Sequence, residues 1–174
     1  MKPLVLFFLL WFVSACSSSR DIQSYKTQGL SIRPKKIFFR FDAPRLTRNG
    51  ATFMKRFETK LNAKLRAKGI TVAYLPYDPL SLLSASDIQN QINQFKPDAV
   101  MVFSQTNDKF RLNVDEGYSL QLDAQLLSND NQSVLWRGVF ARSSSGLVGL
   151  ERNASKMVNT LMGEMQVQGF ITTQ

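Results

Sequence analysis

Ala99-Val100-Met101-Val102-Phe103 is the stretch on which the fold turns. Five apolar residues stand in a row without a polar face, the composition of a strand covered on both sides. Such a strand needs a layer above it and a layer below it, and the sequence upstream supplies two helices. Ser86-Asp87 starts the nearer one, with Ile88, Ile92 and Phe95 on one side and Pro97 ending it. The farther one runs from Leu46 to Lys68, where Phe53, Phe57, Leu61 and Leu65 recur at i+4 with Met54 beside them. Gly69 stops that helix at the C′ position. Two more extended segments separate these parts. Lys36-Ile37-Phe38-Phe39-Arg40-Phe41-Asp42 follows Pro34, and Thr71 to Leu75 is closed by Pro76 to Pro79. The order β-α-β-α-β predicts parallel pairing with right-handed crossovers.

Downstream the pattern changes. Residues 107–117 are polar and read as a loop. Tyr118 to Leu127 alternates: Tyr118, Leu120, Leu122, Ala124 and Leu126 fall on one face, and Ser119, Gln121, Asp123 and Gln125 on the other. That is a half-buried strand. Asn129-Asp130-Asn131-Gln132 is a turn, and Val134 to Phe140 returns as its hairpin partner. Leu150, Ala154, Met157, Val158, Leu161 and Met165 make a last amphipathic helix, ended by Gly169, with Phe170-Ile171 folding back. There is no internal repeat. The expectation is one α/β (α+β) domain over residues 36–174. Its mixed sheet has about five strands in the order β-α-β-α-β-β-β-α: three parallel strands, an antiparallel hairpin and a C-terminal helix.

Composition bounds the chemistry. The chain has 174 residues, 44% apolar and 20% charged, which are the values of a globular domain with a real core. It has no His, so imidazole metal sites and Ser-His or Cys-His relays are excluded. A single Cys excludes an internal disulfide, a zinc cluster and a CxxC pair. No cofactor is implied, and the chain reads as a non-enzyme.

That one Cys has a context. Met1-Lys2-Pro3 is a short cationic start, and Leu4 to Val13 is ten apolar residues, too short for the ~20 of a spanning helix. The segment ends Val13-Ser14-Ala15-Cys16. This resembles the lipobox of bacterial lipoproteins: an aliphatic residue, two small ones, then Cys. The thiol is nucleophilic enough to take a diacylglyceryl group as a thioether, and small residues let the backbone enter a peptidase. The resemblance implies a signal peptide over 1–15, cleavage between Ala15 and Cys16, and acylation of Cys16. One chain anchors only marginally, and two or three, at ~0.8 kcal/mol per buried CH₂, anchor stably. Ser17, rather than Asp, follows the Cys, which in the enterobacterial sorting pattern implies an outer-membrane lipoprotein facing the periplasm. Residues 16–35 are small and polar and read as a lipidated Cys with a flexible tether.

The folded part carries a second resemblance. Asp130-Asn131-Gln132-Ser133-Val134-Leu135-Trp136-Arg137-Gly138 and Gln168-Gly169-Phe170-Ile171 are similar to the hairpin and the closing helix end of periplasmic lipoproteins. These include the curli-secretion lipoprotein, the activators of penicillin-binding proteins and the auxiliary lipoproteins of lipid-transport ABC systems. The resemblance implies a fold and a compartment rather than a partner.

Charge is uneven. Residues 20–68 hold 14 Lys and Arg against 3 Asp and Glu. Arg56, Lys60, Lys64 and Lys68 recur at i+4 as a second stripe on the long helix, with Arg45, Arg48 and Lys55 nearby. The functional reading is an anionic partner, an envelope lipid or glycan. The plain one is a solvated helix face, since like charges at i+4 cost only a few tenths of a kcal/mol per pair. Other candidates reduce to structure. Asp115-Glu116 is an exposed turn, Ser143-Ser144-Ser145-Gly146 is a loop with no base beside it, and Trp136 packs in the core. The sequons at Asn131 and Asn153 are expected to go unused. Export argues against nucleic acid. The expected function is a binding or accessory module held to the membrane by its lipid anchor, for an envelope protein or an anionic lipid or glycan. The alternative is a structural subunit of a secretion, transport or cell-wall-synthesis complex.

Overall fold

A computed structural model describes residues 22–27, 32–42, 48–75, 83–105, 118–130, 133–144 and 149–172. The leader, Ala15 and Cys16 lie outside them, as do Arg45, the loop with Asp115-Glu116, Asn131 and Ser145-Gly146. Nine elements follow in order: β1 Ile22–Lys26, β2 Lys36–Asp42, α1 Arg48–Ala67, β3 Thr71–Tyr74, α2 Ala85–Phe95, β4 Ala99–Gln105, β5 Tyr118–Ser128, β6 Val134–Ser144 and α3 Gly149–Val167. One six-stranded sheet runs β1-β6-β5-β4-β2-β3. β2, β3 and β4 pair in parallel, and the rest are antiparallel. The α/β class and the mixed sheet agree with the sequence reading.

Three points correct it. The sheet has six strands because Ile22–Lys26 pairs with β6, in a stretch that reads as tether. Thr27 N–H continues the pairing to the Leu135 carbonyl at 3.1 Å. An edge strand needs little apolar surface, and here Lys26 supplies it with its stem. Its ammonium lies 5.0 Å from the Phe170 ring centre and donates to the Gln168 carbonyl at 2.6 Å. Secondly, α2 starts earlier than Ser86. Ser84 is its N-cap, in a capping box with Asp87, and these hydrogen bonds hold the Asp87 carboxyl below its ordinary range. Thirdly, Ser143 and Ser144 continue β6 instead of forming a loop.

The helices divide between the two faces of the sheet. α1 and α3 lie side by side on one, over Phe39, Phe41, Met101, Phe103, Leu122 and Trp136. α2 lies on the other, where Ile92 meets Phe38, Val100 and Val102. So Val100 and Val102 are buried under one layer and Met101 and Phe103 under the opposite one. This explains a strand with no polar face. Both long helices end alike. Gly69 (φ 75°) and Gly169 (φ 78°) take the left-handed conformation, and Ile70 and Phe170 N–H reach back to the Leu65 and Met165 carbonyls at 3.0 and 2.9 Å. These are Schellman closures, and their following apolar residues drop into the core. Trp136 is 1% exposed and packs edge-on to Phe140.

On this second face Leu127 of β5 still packs against the α2 cluster, and farther across the sheet β5 and β6 place the polar pair Asp123 and Arg137. Asp123 is 3% exposed, and it accepts from Arg137 Nε at 3.0 and 2.9 Å and from Nη2. No helix among the described residues is long and apolar enough to cross a membrane.

Candidate functional site

The basic stripe of α1 faces the seam with α3, and the structure splits it in two. Glu151, in the first turn of α3, reaches across. Its carboxylate oxygens lie 3.2 Å from Arg56 Nη1 and 2.5 Å from Lys60 Nζ. The Lys60 hydrogen bond and the two positive charges hold the Glu151 carboxyl below its ordinary range. All three side chains are substantially exposed, so the cluster contributes modestly to stability. Arg56 and Lys60 therefore have a structural partner, one that lies far along the chain and that helix periodicity alone could not reveal.

Lys64 and Lys68 lie beyond Glu151 and have a different setting. Both line a groove of about 440 Å³ between α1 and α3, together with Asn159, Met162 and Gln166. Lys68 also lines a second groove, of about 240 Å³, shared with Arg33, Lys35 and Phe170. Its ammonium donates to the Thr172 carbonyl at 3.3 Å. Asp98 fixes the approach to β2: one carboxylate oxygen accepts the Lys35 and Lys36 backbone N–H groups at 2.6 and 2.9 Å. Lys36 is committed elsewhere, donating to the Phe95 carbonyl at 2.6 Å over the Phe95 ring. Among the described residues no carboxylate pairs with Arg33, Lys35, Lys64 or Lys68. Both long helices end here, and their C-terminal dipoles favour cations. Val134 and Val167 stand 39% and 79% exposed at the same end. The arrangement can hold carboxylate or phosphate oxygens against apolar edges. Arg33 and Lys35 join it because β3, directly after α1, pairs with β2, Thr71 N–H donating to the Lys35 carbonyl at 2.8 Å, which residue spacing does not show.

A second polar cluster lies between α1 and β3. Tyr74 hydroxyl donates to the Glu58 carbonyl at 3.2 Å. The buried Glu58 Oε1 and Asn62 Oδ1 have no hydrogen-bond partner among the described residues. Burial pushes the Glu58 carboxyl up to about 7, and burial followed by the Glu58 charge pushes the Tyr74 hydroxyl above its ordinary range. This has a measurable consequence. The folded chain keeps the Glu58 proton that the unfolded chain gives up near pH 4.5. The Glu58 contribution to stability is therefore full below pH 4.5 and is lost as pH rises to about 7. Since the group is partly exposed, the loss is expected to be roughly 1–2 kcal/mol after screening. Urea unfolding at pH 4.5 and pH 8 should show it, and Glu58→Gln should abolish the difference.

The other candidates fall as follows. Asn153 is 7% exposed on α3. Among the described residues no three His, Cys, Asp or Glu gather to hold a metal.

Comparison with known proteins gives a fold. No protein-family model matches the chain, and no curated protein matches it. Among solved structures, a PelC dodecamer from Paraburkholderia phytofirmans superposes with a TM-score of 0.58 at 17% identity, covering 83% of this chain and 96% of that one. A point variant of the same dodecamer gives 0.56 at 16% identity, covering 83% and 98%. Lipoprotein GNA1162 from Neisseria meningitidis gives 0.45 at 19% identity, covering 75% and 99%. At these identities the likeness is one of fold.

Proposed function

We propose that the chain is a non-enzymatic, lipid-anchored envelope lipoprotein, held in the outer membrane through Cys16, whose basic end binds an anionic envelope partner. The observation that carries this reading is the end formed by Arg33, Lys35, Lys64 and Lys68: four cations from two segments, none with a carboxylate partner among the described residues, around two adjoining grooves. The lipobox supports the anchor.

The test compares two double variants of equal charge change. Lys64→Glu with Lys68→Glu should elute from immobilised poly-glutamate at clearly lower salt than Lys55→Glu with Lys156→Glu, in which the substituted residues are exposed elsewhere on α1 and α3. At low ionic strength the first pair should weaken binding about tenfold more than the second, a difference of about 1.4 kcal/mol. Equal elution would mean that net charge alone is being read, and the site would be lost.

A second reading has its own support. We propose as the alternative that this chain is a structural subunit of an envelope assembly, and the dodecamer formed by a PelC of the same fold supports it. Native mass spectrometry of the detergent-extracted protein tests it. A defined multimer supports this reading, and a monomer at micromolar concentration removes it.

A further inference from the structure

We propose that the domain stands on its anchoring bilayer with the end where β1 begins turned to the lipid, so that the basic end points away from that bilayer. This deepens the proposed function and rests on acylation at Cys16.

β1 starts at Ile22, six Cα steps after Cys16, and six steps span at most about 22 Å. The pairing register puts Ile22 opposite Phe140, Phe140 opposite Leu122 and Leu122 opposite Gln105. β5 and β6 run four residues past this level, to Tyr118 and Ser144, which is about 13 Å. About 13 Å of that reach is needed to clear the sheet, so the lipidated residue can lie at most ~9 Å beyond that end. β1 runs from Ile22 away from this end, so its first residue is the one turned to it.

The same register locates the basic end. From Gln105 back along β4 to Ala99, across to Ile37 and on to Lys35 is eight residues along the strands and four strand spacings across the sheet from β1. The diagonal is about 30 Å. α1 starts after the C-terminal end of β2 and ends at this far corner, which places Lys64 and Lys68 beside Lys35. The anion that the basic end meets then belongs to something outside the anchoring bilayer, such as an acidic polymer, and is not a headgroup of the same membrane.

Energy transfer from a single-cysteine label to headgroup-labelled vesicles tests this with the full lipidated chain, since Cys16 is the only native Cys and acylation blocks it. Ser86→Cys and Arg152→Cys mark the bilayer end on the two opposite sheet faces, at the starts of α2 and α3. Ala67→Cys and Asn129→Cys mark the far end, at the close of α1 and in the β5–β6 turn. The expected result is strong transfer at Ser86→Cys and Arg152→Cys, and transfer at least severalfold weaker at Ala67→Cys and Asn129→Cys. Strong transfer at Arg152→Cys and Ala67→Cys but not at Ser86→Cys would mean that the domain lies on its paired helices, and the orientation would be refuted. Equal or reversed transfer would refute it as well. The mass of the Cys16 peptide is measured on the same samples. Wrong transfer from an acylated protein sinks the orientation alone, whereas an unacylated Cys16 sinks the anchor and the orientation together.

Discussion

Phe103→Ala is expected to cost about 3–5 kcal/mol of unfolding free energy, among the largest losses any single substitution in this core should cause. Phe103 is 1% exposed and lies where three elements meet. Its ring is 5.0 Å from Phe41 and 6.0 Å from Phe39 on β2, both nearly parallel, and 5.3 Å edge-on from Phe57 on α1. Truncation removes the aromatic contacts and leaves a cavity that a sheet fixed on both sides cannot close. Phe103→Leu keeps most of the volume and should lose far less. Denaturant midpoints of both variants check this, and a loss below about 1 kcal/mol for the alanine variant would mean that this aromatic cluster does not hold the fold together.

Cys16→Ser should have an all-or-none effect. A hydroxyl is too weak a nucleophile to take the diacylglyceryl group, and cleavage in the lipoprotein pattern follows acylation. The variant should keep its fifteen-residue leader and be missing from washed outer membranes, while the native chain is shortened and retained. Two or more acyl chains make the native attachment effectively stable, so partial release is not expected. Gel mobility and membrane fractionation read both effects. A variant processed and retained like the native protein would remove the anchor.

The central architecture could be read from local pattern because each of its elements carries its own signal. The i+4 ladder of α1, the unbroken apolar run of β4 and the strict alternation of β5 are properties of ten to twenty neighbouring residues. Gly69 and Gly169 mark their helix ends because the left-handed closure there favours glycine. What escaped depends on distant residues. Ile22–Lys26 is polar enough to pass for a tether, and it becomes a strand only because β6 offers an edge and Phe170 offers a surface for Lys26. The candidate site shows the same limit. The stripe Arg56, Lys60, Lys64 and Lys68 was legible as a row of charges. Its division was not, since Glu151 neutralises one half and the start of β2 brings Arg33 and Lys35 to the other. Glu58 gave no signal at all, because burial beside Tyr74 is what shifts it.

The most direct measurement is the mass of the amino-terminal peptide of the native protein taken from membranes. The account predicts a chain that begins at Cys16 and carries a diacylglyceryl thioether and an acylated amine. A free thiol at Cys16, or a chain that still begins at Met1, would contradict it.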